Sequence, residues 1–264
     1  MTGSDTAAGS REASAHIELS RARVARVSRV REVIFGTQDG LLTTLGLVSG
    51  VGGATGDRYT VLVAGAAGAF AGMIAMGAGA YISSKSQQEV HEAEVEVERS
   101  ELARHPEREF EELVQLFRDE GLPEDDARLV AEKIAARPSA MLRAMTRMEL
   151  GLATEAGEPE REGVVMAVAF ALGAAVPILP WLFLSTRPFA SVGPLNISPA
   201  LALSAGVTLM ILFAMGVGKA RVARTSVVRG GLEIMFIGLG AAIVGYLLGT
   251  IFPHLVGARP AGGG

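Results

Sequence analysis

Asp39 is a lone carboxylate in an otherwise apolar stretch of this 264-residue chain, in the run TQDGLLTT. Placing it in lipid costs roughly 3 kcal/mol on insertion scales unless it is protonated, bound to a cation or facing water. No basic residue lies inside any of the long apolar stretches to pair with it. Glu32 precedes it by seven residues and so shares its face of a helix. A proton and a metal ion would compete for the same lone pairs on Asp39, which is exchange chemistry. The alternative is a protonated Asp39 bonded to Thr43 or to a main-chain carbonyl. Met73 and Met76, within GMIAMGAGA, would ordinarily be helix filling. Beside an intramembrane acid, however, a thioether makes a borderline donor set suited to ferrous iron and similar first-row ions, and poorly suited to magnesium or calcium. A site on a two-fold axis would double these few ligands, so a homodimer is expected.

A second set of donors lies in the charged middle of the chain. Glu94, Glu98 and Glu101 repeat at helical spacing, with His91 and His105 continuing the stripe. Glu109 and Glu112 repeat it on the next pattern, and Met145 and Glu149 follow at i, i+4. Like charges on one helix face repel. Water, a basic stripe or bound cations would relieve them. E-x-x-E pairs on adjacent helices resemble the carboxylate-bridged metal sites of helical bundles, but a solvated acidic surface fits the same spacing. No E-x-x-H pair is present for a ferritin-type oxidation centre. Glu233, beside a basic loop, reads as an interfacial carboxylate near a helix N-terminus.

The elements that must hold these residues are membrane helices. The composition is 49% apolar, mean hydropathy is +0.36, and there are 33 glycines and no cysteine. Cysteine nucleophiles, disulfides and thiolate metal centres are therefore excluded. Apolar stretches near 33–54, 59–82, 163–186, 198–218 and 231–252 each approach the length of about 20 residues that a bilayer requires. Gly36 and Gly40, Gly46 and Gly50, and Gly68 and Gly72 permit close helix contact there. Arg21, Arg23, Arg26, Arg29 and Arg31 precede the first stretch, and Lys219, Arg221, Arg224 and Arg229 lie between the last two. The opposite flanks hold only Arg58, Arg187 and Arg259. Positive flanks stay inside, so the N-terminus is expected in the cytosol and the C-terminus outside.

Between Tyr81 and Pro106 neither Gly nor Pro interrupts the chain. One helix is predicted from about 60 to 105, on the order of 65 Å long at 1.5 Å per residue. Shorter helices are predicted at 107–120, 123–136 and 139–153, punctuated by Gly121–Pro123 and Pro138. Residues 83–162 hold 21 of the 28 acidic and 11 of the 24 basic residues. That island argues for cations and against nucleic acid as partner. The expected fold is an all-α membrane protein of five transmembrane helices with a helical cytosolic insert between the second and third. Its expected parts are a basic cytosolic tail (1–31, with 1–20 disordered), the first two membrane helices (32–82), the acidic metal-binding insert (83–162), the last three membrane helices (163–253) and a terminal tail (254–264). No cleavable signal is expected, the connection RPFASVGPLNISP is expected as an outer loop, and no phosphate loop for ATP is present.

The motifs VREVIFGTQDGLLTTLGLVSG, GMIAMGAGAYISSKSQQE and AMTRMELGL, in that order and with this layout, resemble the vacuolar iron transporter family, which includes bacterial members. The likeness runs from Arg31 to about Pro253. It implies a homodimer whose first membrane helices line a pathway between subunits, exporting ferrous iron in exchange for protons. It assigns Glu32, Asp39 and Met76 to that pathway, and Glu98, Glu101, Glu109, Glu112, Met145 and Glu149 to metal in the insert. Where plant members carry adjacent methionines, this chain has Met145 and Thr146. Where some members carry an acid in the second span, it has Gly68.

The resulting expectation is a proton-coupled exporter of Fe²⁺, or Mn²⁺, and not an enzyme. Zn²⁺ and Co²⁺ are further substrates to test, and no tightly bound cofactor is expected. The alternative is a membrane-anchored metal store or sensor. Three lysines against many Ala, Arg and Gly suggest a bacterial origin and the plasma membrane.

Overall fold

The computed structural model describes residues 3–149, 151, 158–192 and 195–255. Its helices are α1 (Gly3–Thr55), α2 (Arg58–Arg104), α3 (Pro106–Asp119), α4 (Glu124–Ala135), α5 (Pro138–Met148), α6 (Pro159–Phe183), α7 (Pro199–Val222) and α8 (Val227–Leu255). Two short strands, β1 (Ala190–Val192) and β2 (Leu195–Ile197), pair antiparallel with Ala190 opposite Ile197. The chain divides into two compact units, residues 1–80 with 162–264, and residues 81–161.

In the first unit, four helices are long and apolar enough to cross a membrane among the described residues: α2, α6, α7 and α8. The expected stretch at 33–54 forms the C-terminal part of α1. Its Thr37, Gln38, Asp39, Thr43, Thr44 and Ser49 make it the least apolar of the five stretches. This is nevertheless the central helix of the unit. Leu41 joins Leu212 and Ile234 in one apolar core, and Val48 joins Val61, Trp181 and Ala200 in another. Glycine lets its neighbours come to backbone contact. A Cβ on Gly249 would overlap the carbonyl oxygen of Gly50, and one on Gly173 that of Thr37. Such approach replaces the hydrophobic driving force that lipid does not supply between helices.

The connections follow from local chemistry. Gly56 takes a left-handed φ of +61°, and Asp57 then caps α2, its Oδ2 accepting from the Thr60 N–H at 2.7 Å and hydroxyl at 2.6 Å. Ser198 caps α7 by accepting from the Leu201 N–H at 3.2 Å. Pro177 and Pro180 sit within α6, where each removes a helix hydrogen bond. The Ser204 hydroxyl donates to the Pro177 carbonyl at 2.7 Å.

Three differences from expectation stand out. The segment expected to be a disordered tail at 1–20 is helical from Gly3, since SREASAHIEL holds two Ala, two Glu, one Arg and one Leu, all good helix formers, and no Pro. The expected outer loop carries the β1–β2 hairpin, held by Tyr246, whose hydroxyl accepts from the Asn196 N–H at 2.7 Å. The last insert helix ends at Met148, short of the expected 153. Residues 152–157 lie outside the described residues, as does most of the tail expected at 254–264.

In the second unit, α2 runs without a break to Arg104, and Pro106 opens α3 at a position where its missing N–H costs nothing. Gly121, at φ +97°, turns the chain into α4. Leu113, Val114, Ala127, Ala131, Met141 and Met145 form the core between α3, α4 and α5. Arg128 clips α4 to α3 through two hydrogen bonds to Glu111, at 2.8 and 2.7 Å.

Candidate metal centre

The turn at Pro106 folds α3 back so that Glu109, in its first turn, meets Glu98 and Glu101, one turn apart on α2. Each of these three glutamates offers a carboxylate oxygen, and those oxygens lie within 4.8 Å of one another. It is the one such grouping among the described residues. Glu98 is 2% exposed and Glu109 1%. Side chains of this kind are almost never buried unless paired. Glu98 Oε1 is buried with no hydrogen-bond partner.

The electrostatics match this crowding. Burial pushes the Glu98 carboxyl up to about 7, with the charges of Glu149, Glu109, Glu101 and Glu112 adding to it. Glu149, at the C-terminal end of α5, remains solvent-accessible as a residue. Its carboxyl is raised first by partial desolvation and then by Glu112, Glu109 and Glu101, against the opposing effect of a hydrogen bond with Glu98. Glu98, Glu101, Glu109, Glu112 and Glu149 therefore belong to one electrostatic cluster. Oxygen donors closely spaced, one of them buried and unpartnered, fit a divalent cation. Met145 is fully buried in the apolar core of α3–α5, and the Glu149 N–H bonds to its carbonyl at 2.9 Å. Glu94, expected on the same stripe, is solvent-exposed.

One participant escaped the sequence reading. Arg108 donates from Nε and Nη2 to Glu109 Oε1, at 3.1 and 2.7 Å, and its Nη2 lies 3.5 Å from Glu101 Oε1. The signal was present in the dipeptide Arg108–Glu109, but only the fold shows that the guanidinium turns toward the cluster.

In the first unit, Glu32 and Asp39 are half-buried on α1 and Met76 is half-buried on α2. No ion pair reaches Asp39 among the described residues. The Thr43 hydroxyl donates to the Asp39 main-chain carbonyl at 2.7 Å. Met73 lines an apolar groove of about 240 Å³ between α2 and α6 with Phe70 and Ile178, and Met76 is not part of that lining. Gly68 faces α1, where a Cβ would strike the Leu47 side chain. Glu233 is exposed in the second turn of α8.

Apolar helices of membrane-crossing length, joined in one chain to a helical acidic unit, define a multi-pass membrane protein. The chain belongs to the VIT family, whose profile matches residues 30–250. Vacuolar iron transporter 1 of Arabidopsis thaliana is 31% identical over 228 residues, covering 85% of this chain and 86% of the relative. Vacuolar iron transporter 1 of Oryza sativa subsp. japonica is 32% identical over 220 residues, covering 82% of each. Vacuolar iron transporter 2 of the same plant is 33% identical over 195 residues, covering 73% of this chain and 74% of the relative.

Proposed function

We propose that the protein exports divalent metal, Fe²⁺ foremost and Mn²⁺ as well, from the cytosol in exchange for protons. The observation that carries this is the carboxylate trio of Glu98, Glu101 and Glu109 with its unpartnered buried oxygen, in a chain whose relatives are named vacuolar iron transporters. The trio, with Glu112, Glu149 and the thioether of Met145, captures the ion. Glu32 then receives it on α1, one residue before the apolar stretch at 33–54, and Asp39 with Met76 carries it across.

At Asp39 the ion and a proton compete, so protonation from the more acidic side releases the metal and resets the carrier. In this reading the C-terminal part of α1 is a fifth crossing. Its polar residues are tolerated because neighbouring helices surround it at Gly40, Gly46 and Gly50. The chain acts as a homodimer in the plasma membrane, with its N-terminus and acidic unit cytosolic and its C-terminus outside. A pathway between two α1 helices gives the half-buried Asp39 a wet, shared environment that one subunit does not supply.

The test is metal flux into proteoliposomes with an imposed pH difference, using Fe²⁺, Mn²⁺, Co²⁺ and Zn²⁺. Flux that rises with the proton gradient is expected. Binding without flux would turn the reading into a membrane-anchored metal store or sensor, and flux indifferent to pH would end the exchange mechanism.

A further inference from the structure

The carboxylate trio already has a cation. The guanidinium of Arg108 makes both of its short contacts to Glu109 Oε1 and approaches Glu101 Oε1 at 3.5 Å. These are oxygens of two of the three glutamates that come within 4.8 Å of one another. Arg108 itself is 58% exposed, whereas the Glu109 side chain beneath it is 1% exposed. The two ends of the ion pair are therefore unequal. Leaving the buried carboxylate without a cation is costly, while the arginine, already largely hydrated, loses little by moving into water once another cation takes its place.

We propose that Arg108 is a resident counter-cation of the metal centre, occupying Glu109 and Glu101 until a divalent ion displaces it. This rests on the reading that the acidic unit captures metal. The consequence is a threshold. An incoming ion must outcompete a tethered guanidinium that, one residue from Glu109, never diffuses away. A strongly coordinating divalent ion does so, and a weakly bound or monovalent one does not. Arg108 thereby lowers absolute affinity in return for discrimination and for a metal-free site that does not repel itself apart.

The rival geometry leaves the guanidinium in place as an outer brace on Glu109 while the metal uses the other carboxylate oxygen. The two predict opposite signs. Removing a guanidinium that the ion would otherwise have to displace should tighten binding by roughly tenfold, the scale of one charge-assisted hydrogen bond. Removing a brace should weaken it by tenfold or more.

The experiment titrates Mn²⁺ calorimetrically into the purified full-length chain in detergent, in an Asp39→Asn background so that the intramembrane acid does not contribute. Arg108→Gln is expected to lower the Kd roughly tenfold. It should also lower the melting temperature of the metal-free protein without changing that of the metal-saturated protein. Arg108→Lys keeps the charge but loses the fork, and should bind about threefold more tightly than the parent. Unchanged or weaker Mn²⁺ binding in Arg108→Gln overturns the proposal. If that variant does not fold, unchanged or weaker binding in Arg108→Lys does so. A parent protein whose Mn²⁺ binding is indifferent to Glu109→Gln would instead sink the capture reading, whatever Arg108 does.

Discussion

Two acids of this chain are taken from water in opposite ways. Glu98 is 2% exposed among four other glutamates that raise its proton affinity, and a guanidinium supports its neighbours Glu101 and Glu109. Asp39 is half-buried on α1 with no ion pair among the described residues, and the hydroxyl of Thr43, one turn on, is spent on the backbone. The acidic unit offsets part of its crowded charge internally, through the Arg108 guanidinium on Glu101 and Glu109. Helix α1 leaves Asp39 without an ion pair among the described residues, and under the proposed function that acid is balanced by the ion or proton that enters. A capture site benefits from the first arrangement and a transit site from the second.

If that contrast is right, removing the uncompensated acid has the largest consequence. Asp39→Asn keeps the side-chain shape and removes both the charge and the exchangeable proton. Metal flux in proteoliposomes should fall to background, on the order of a hundredfold or more, while Mn²⁺ binding to the acidic unit stays intact. Retained flux would show that Asp39 is only a buried polar group.

Glu98→Gln strikes the partly compensated acidic unit and should do less. Metal affinity of the unit should drop by about ten- to a hundredfold, as when part of a coordination sphere is lost. Flux at saturating metal should survive with a higher half-saturation concentration. Equal losses of affinity and maximal flux would mean that the two regions act as one site.

The same residue makes stability depend on pH in a definite direction. Its carboxyl titrates near 7 in the folded protein against an ordinary value of 4.5. The folded state thus holds the proton more tightly, and that stabilisation is complete below about pH 4.5 and lost as pH rises through about 7. It is on the order of 3 kcal/mol at full extent, by the usual conversion of pKa differences. Thermal melts of the metal-free protein should show the transition of the acidic unit at lower temperature at pH 8 than at pH 5.5. Divalent metal should cancel the difference, and Glu98→Gln should reduce it, leaving the smaller part due to Glu149. A pH-independent melt would contradict the crowding described above.

The contrast was only partly visible in the amino-acid order. Breaks at Pro106, Gly121 and Pro138 are local chemistry, and α3, α4 and α5 begin where those residues dictate. Glu98, Glu101 and Glu109 were legible as candidates because helical spacing fixes which side chains share a face. That they converge while Glu94 does not depends on the angle at which α3 folds back, which no local pattern encodes. Arg108 was overlooked for the same reason. A basic residue beside an acidic one looks like surface charge until the neighbouring helix is placed. The β1–β2 hairpin relies on Tyr246, 50 residues from Asn196, a contact that local propensity does not register. Asp39 was conspicuous because its surroundings in sequence are apolar, but the destination of the Thr43 hydroxyl required coordinates.

That hydroxyl gives the smallest and sharpest test of the contrast. Thr43 and Asp39 are four residues apart, so a bond between their side chains was the natural alternative to a metal-exchanging acid. The hydroxyl instead donates to the main-chain carbonyl of Asp39, a local back-bond that shapes the helix and contributes little to stability. Thr43→Val retains the branched shape and removes that donor, and flux should change by less than about threefold, within the range of one modest hydrogen bond. A loss as deep as that of Asp39→Asn would mean that the hydroxyl holds the carboxyl directly during the cycle. Asp39 would then be an acid held by an internal partner, as Glu109 is by Arg108, and the distinction between the two regions would collapse.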